Sequence, residues 1–192
     1  MLKFTLDTNC LIDVEENRPQ GSDVKTLVDA ALKDQISLAL VASSASEKQK
    51  SGDFLISFDT FDKRRAKLGF GEFEILLSIA RWDATFWDKG LWANENMIKR
   101  EKSIFDTLFP NDYYTWADCS KNAGISLEDK SSSIYKKWRN KLLDAQAFWA
   151  HEHNNRDVFV TSDTNFVSKL LNHQLFPSAL VKTPCDAVNL QK

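Results

Sequence analysis

The chain opens with apolar residues at Leu2, Phe4 and Leu6, and the alternation ends at Asp7. That pattern predicts a short strand with an acid at its carboxyl end. A second apolar run, Ile36 to Ala42, is nearly continuous and reads as a strand buried on both faces. Between them, Asn17 to Gly21 reads as a loop and Ser22-Asp23 as a helix cap. Val24, Leu27, Val28, Ala31 and Leu32 then fall at helical spacing. Ser43-Ser44 breaks the second run, and Ala45 to Lys50 is expected to start a helix that carries Glu47.

The middle of the chain is less regular. Phe54 to Lys67 and Asn94 to Phe109 predict helices, the latter stopping before Pro110. Phe73 to Ala80 fits either a strand or a buried helix, since its periodicity does not discriminate. Ser131 to Asn154 predicts a long helix. Ile134, Trp138, Leu142, Ala145 and Trp149 form its apolar stripe, and Asp144 lies on the flank. Val158 to Val160 predicts a strand ending at Thr161-Ser162-Asp163. A helix over Thr164 to Asn172 and a last strand over Ala179 to Lys182 follow. Strands alternating with helices imply a mainly parallel α/β sheet. We expect one domain over 1–192, with a helical, Trp-rich elaboration at about 53–130. Trp82, Trp87, Trp92 and Trp116 fall in that stretch, where such aromatics are expected to pack a subdomain.

Composition changes this picture little. The 192 residues are 43% hydrophobic and 27% charged, and the net charge is −2. Those values suit a globular chain and neither announce nor exclude a nucleic-acid partner. No apolar run reaches the ~18 residues of a membrane span, so no membrane partner is expected. The first strand begins almost at once, leaving no room for a cleavable leader. Cys10, Cys119 and Cys185 match no metal or disulfide spacing, which points to reduced thiols and a cytoplasmic location.

The chemistry lies in acids that the pattern can gather. Asp7 and Asp163 both stand at strand ends, where open α/β sheets bind ligands. Glu47 and Asp144 are carried by helices that flank such a sheet. Converging carboxylates repel one another unless they hold a cation, and hard oxygen donors select Mg2+ or Mn2+. Asp7 alone would be unremarkable as a helix cap. Asp13 is expected at the surface near the end of the first helix, and His151 likewise at the surface. Lys63-Arg64-Arg65 reads as a solvated helix face. The basic residues Lys136, Lys137, Arg139 and Lys141, upstream of Asp144, suit an approach path for a phosphate backbone better. A phosphatase of the haloacid-dehalogenase type would want an acid two residues after Asp7, where Asn9 stands.

The Asp7-Thr8-Asn9 opening, Glu47, the helical Asp144 and the run Thr161-Ser162-Asp163-Thr164-Asn165-Phe166 resemble the PIN-domain nucleases. The resemblance covers about 1–52 and 132–185. It implies a three-layer α/β/α sandwich around a five-stranded, mainly parallel sheet, and Mg2+- or Mn2+-dependent endoribonuclease activity. It makes Asp7, Glu47, Asp144 and Asp163 both the catalytic and the metal-binding acids. In that scheme Asp7 and Asp163 hold the first metal, Asp144 completes the site, and Glu47 helps bind or orient the attacking water. Thr8 and Asn9 fix the loop and touch phosphate. Thr161 and Ser162 hydrogen-bond the acids, and Asn165 stands where many members carry a further acid. VapC-like toxins belong to the family, so an antitoxin partner and a homodimer come with the resemblance. The chain is longer than those toxins. The alternative is a catalytically weak PIN-like scaffold that binds RNA or protein.

Overall fold

The computed structural model describes residues 1–46, 57–82, 84–171 and 173–190. In chain order the first elements are β1 (Lys3–Leu6), α1 (Thr8–Glu15), α2 (Gly21–Leu32) and β2 (Ser37–Val41). Then come α3 (Phe58–Lys67), β3 (Glu74–Leu76), β4 (Ser78–Ile79), β5 (Gly90–Leu91), α4 (Glu95–Leu108) and α5 (Trp116–Ala123). The chain closes with α6 (Ser133–His153), β6 (Val158–Val160), α7 (Thr164–Leu170), β7 (Val181–Lys182) and α8 (Pro184–Asn189). Short 3-10 turns occupy Ala42–Ser46 and Trp87–Lys89.

Five strands form one sheet in the order β3-β2-β1-β6-β7, and every pairing is parallel. Alternation along the strands divides the core in two. Phe4, Leu6, Leu38, Leu40, Val158 and Val160 face residues of α1, α2, α3 and α8. Ala39, Val41, Leu76, Phe159 and Val181 face α4, α6 and α7. Helices therefore flank both faces of the sheet.

The change of face has a topological cause. From β1 the chain steps outward to β2 and β3, with its connecting helices on one face. It returns through α4 and α6 to β6, on the other side of β1, and steps outward to β7. Right-handed crossovers in opposite directions must lie on opposite faces. Strand order thus reverses between β1 and β6, and the carboxyl ends of these two strands flank the crevice where such sheets bind ligands.

Several details differ from the sequence reading. Helix α2 starts at Gly21, with Gln20 rather than Ser22 or Asp23 before it. The corner is tight, since a Cβ on Gly21 would stand 2.5 Å from the Asp13 carbonyl oxygen. Within 57–76, expected to belong to the elaboration, β3 forms an edge of the main sheet and α3 packs on one of its faces. The elaboration starts with β4, which pairs with β5 as a separate two-stranded ribbon. Helix α6 carries more than a stripe. Leu142, Leu143 and every residue from Ala145 to His151 are buried, because the sheet lies on one side and α4 on the other. At the amino edge, the buried Arg156 guanidinium donates to the carbonyls of Phe4 (2.7 Å) and Ser37 (3.0 Å) and pairs with Glu74 (3.1 Å). It thereby braces β1, β2 and β3 from the start of β6.

Candidate active site at the switch point

Asp7 follows β1 immediately and caps α1. It is 1% exposed. Its backbone N–H continues the β1–β6 ladder to the Val160 carbonyl at 2.9 Å. One carboxylate oxygen accepts from the Thr8 N–H at 2.8 Å. The other accepts from Asn9 Nδ2 at 3.1 Å and from the Thr161 hydroxyl at 2.7 Å. All three donors are neutral. Burial pushes the Asp7 carboxyl up from its ordinary 3.8 to about 6, and the negative charge of Asp163 adds to the rise. The hydrogen bonds from Thr161, Thr8 and Asn9 oppose it without reversing it.

Asp163 caps α7 and is half-buried, with one oxygen accepting the Asn165 N–H at 2.7 Å. Thr161 joins the two acids. Its Oγ1 donates to Asp7 and accepts the Asp163 N–H at 2.9 Å. Thr161 thus touches the Asp7 carboxylate and the Asp163 backbone. The two strand ends that precede these acids lie side by side because β1 and β6 are neighbours in the sheet.

Asp144 is half-buried on α6. It lies seven residues before His151 and so on the same side of the helix. The carboxyl end of α6 lies at the amino edge of the sheet, where the Arg156 N–H reaches the His151 carbonyl and the Asp157 N–H reaches that of Lys3. His151 bonds Thr5 of β1 at 3.0 Å. Seven residues of helix carry Asp144 about 10 Å from that level toward the carboxyl edge. Asp7 lies about 7 Å beyond Thr5 along the strand in the same direction. Glu47 lies outside the described residues. Among those residues, no group of three or more His, Cys, Asp or Glu is arranged to hold a metal.

Other expectations need correcting. Asp13 is 3% exposed rather than at the surface. Its carboxylate accepts the Ser162 hydroxyl and lies 3.5 Å from the Arg18 guanidinium. Ser162 therefore bonds Asp13 instead of the acids at the strand ends. Thr8 is buried, and its hydroxyl donates to Ser44 Oγ at 2.7 Å, tying the ends of β1 and β2 together. That leaves it no free hydroxyl for phosphate. His151 is buried against Phe148 and Phe159, and burial pushes it down to about 4, so it stays neutral. Asn165 is half-buried, and its amide points to the Leu108 carbonyl at 3.5 Å. Arg64 and Arg65 are consumed structurally, by Glu15 and by Asp62 with the carbonyls of Phe70, Gly71 and Phe73. Lys141 pairs with Asp112, and Arg139 donates to the Ala84 carbonyl.

Sequence reasoning missed Asp13 and Ser44 as parts of this region. The available signal for Asp13 was its place on the helix that Asp7 caps, six residues on, or about 1.7 turns. Ser44 offered none, because its partner Thr8 lies 36 positions away.

Comparison with known proteins adds no relative: no family model, no curated protein and no solved structure matches this chain. Among the described residues no helix is long and apolar enough to cross a membrane.

Proposed function

We propose that the chain is a Mg2+- or Mn2+-dependent endoribonuclease acting at the crevice between the carboxyl ends of β1 and β6. One observation carries the reading: a buried carboxylate, Asp7, lies within electrostatic reach of Asp163 and is linked to it through Thr161, at the switch point of a parallel sheet. Every hydrogen bond that Asp7 accepts comes from a neutral donor. A buried carboxylate beside a half-buried one, with that donor set, gains from a hard divalent cation, whose charge offsets the burial and the smaller Asp163 repulsion that raise Asp7. Asp7 and Asp163 would hold the ion, with Asp144 from α6 and Glu47 after β2 as the further acids. When bound, the ion lowers the pKa of a coordinated water and offsets charge on the phosphodiester oxygens. Thr161 fixes both aspartates from behind. Asn9 donates to the same Asp7 oxygen as Thr161.

The family resemblance in the sequence narrows this proposal to the PIN-domain nucleases. A toxin role, with an antitoxin partner and a homodimer, is its finest form. The expected products carry 5′-phosphate and 3′-hydroxyl ends. The test is a cleavage assay on total RNA with Mn2+ and with EDTA. Wild type should cut only with the ion, and Asp7→Asn should not cut while remaining folded. Undiminished cleavage by Asp7→Asn sinks the reading. For the toxin form, a small protein from an adjacent reading frame should co-purify and block cleavage.

A second reading is a catalytically weak scaffold that binds RNA or protein. It is favoured by Asn165 at the position of a further acid and by the lack of a three-acid group among the described residues. Titration calorimetry with Mn2+ separates the two. Heat that vanishes in Asp7→Asn supports the nuclease, and no heat in wild type supports the scaffold.

A further inference from the structure

Three indoles of the elaboration project into solvent instead of packing it. Trp82 is 76% exposed, Trp87 46% and Trp92 85%. They still form a row. The Trp82 and Trp87 ring centroids are 5.2 Å apart, and those of Trp87 and Trp92 are 5.5 Å apart. Exposed aromatics gathered in this way mark a binding surface more than a core. The expectation that all four tryptophans of this stretch pack a subdomain holds for Trp116 alone, which is 8% exposed.

The row leads into a cavity of about 380 Å3 between Trp82 and a second aromatic group, Trp116, Tyr135 and Trp138. Lys130 and Glu128 stand at its rim. The inner rings are fixed in advance. Trp116 Nε1 donates to the Leu127 carbonyl at 2.8 Å and Trp138 Nε1 to that of Tyr114 at 3.3 Å. Trp116 also meets Tyr135 edge-on at 5.0 Å. Arg139 of α6 donates to the Ala84 carbonyl at 3.0 Å, which ties the segment bearing Trp82 to the helix.

The position matters as much as the chemistry. Trp138 lies six residues before Asp144, about 9 Å further along α6 in the direction that leads to the carboxyl edge of the sheet. The aromatic surface is thus on the same side of the molecule as the Asp7–Asp163 crevice.

We propose that Trp82, Trp87 and Trp92, with the cavity behind Trp82, form a stacking subsite for consecutive unpaired bases of single-stranded RNA beside that crevice. The proposal rests on the endoribonuclease reading for its choice of ligand. Every base has a π-face, so such a row accepts any sequence. Charge is mixed here, with Lys89 and Lys130 against Asp88 and Glu128. The rings, more than the lysines, supply the affinity.

The test is fluorescence anisotropy with a short labelled oligoadenylate in EDTA, where no cutting occurs. Trp82→Ala and Trp87→Ala should each raise Kd about five- to a hundredfold, and Trp82→Phe should recover most of the loss. A duplex of the same length should bind much more weakly. Both alanine changes remove exposed side chains, and thermal melts verify that the fold persists. Unchanged Kd in the alanine variants, equal binding of duplex, or no binding by wild type overturns the proposal. If the variants bind normally while wild type cuts RNA, stacking fails and the nuclease reading stands. If Asp7→Asn cuts like wild type while Trp82→Ala still weakens binding, the nuclease reading fails and the subsite stands.

Discussion

Replacing Asp7 by Asn should stabilise the ion-free protein at neutral pH, and the gain should disappear in acid. In the folded state burial and Asp163 raise the Asp7 carboxyl from 3.8 to about 6. The group therefore costs nothing below the unfolded value. It costs progressively more as pH rises from 3.8 to about 6, and above that about 3 kcal/mol. At pH 4.5 the cost is only about 1 kcal/mol, so the advantage of Asn should grow by about 2 kcal/mol between pH 4.5 and 7.5. Asn keeps the bond from the Thr8 N–H and can donate to Thr161 Oγ1, while Asn9 must turn its amide away, a loss of about 1 kcal/mol that does not vary with pH. The slope with pH is thus set by the titration of Asp7 alone. For a chain of this size, 2 kcal/mol corresponds to about 4–8 °C in Tm. The assay is paired thermal melts of wild type and Asp7→Asn in EDTA at several pH values, repeated with Mn2+. The ion should raise the Tm of wild type by mass action and leave the variant unmoved. A Tm difference that is flat with pH, or that favours wild type more strongly at pH 7.5 than at 4.5 in EDTA, would falsify the account of Asp7 as an uncompensated buried acid.

Other outcomes follow from single contacts. Thr161→Val removes a donor to Asp7 and an acceptor for the Asp163 N–H; Mn2+-dependent cleavage should fall about 10–100-fold and its acid limb should move to higher pH, as read from a pH–rate profile. Glu101 is fully buried among Arg81, Tyr114 and Gln146, so Glu101→Ala should destabilise by about 3 kcal/mol in urea unfolding, because the Arg81 charge loses its partner. Gly21→Ala drives a methyl against the Asp13 carbonyl and should cost about 2 kcal/mol or more; a neutral result would mean that the α1–α2 corner relaxes freely. Under a thiol reagent Cys185 should react first and Cys119 more slowly. Cys10, buried with its thiol pushed up by burial and by Asp7 and Asp13, should react only on unfolding.

Local pattern in the sequence determined most of the elements and two of the candidate acids. The alternation through Phe4, the apolar runs through Leu40 and Val160 and the helical spacing before Asp144 depend on neighbours within a turn or a pleat, and such signals are written in order along the chain. They place Asp7 and Asp163 at strand ends without any knowledge of the sheet. What local pattern cannot carry is which strands become neighbours. Only the order β3-β2-β1-β6-β7 brings those two ends together, and that order depends on the long crossover from Leu76 at the end of β3 to Val158 at the start of β6. The same tertiary packing turned Asp13 and His151 inward, since the groups that cover them, Ser162 and Thr5, belong to distant segments. It also left Trp82, Trp87 and Trp92 outside, where composition alone would have buried them. An apolar side chain is enclosed only if some other surface arrives to cover it, and no property of the residue itself specifies that arrival.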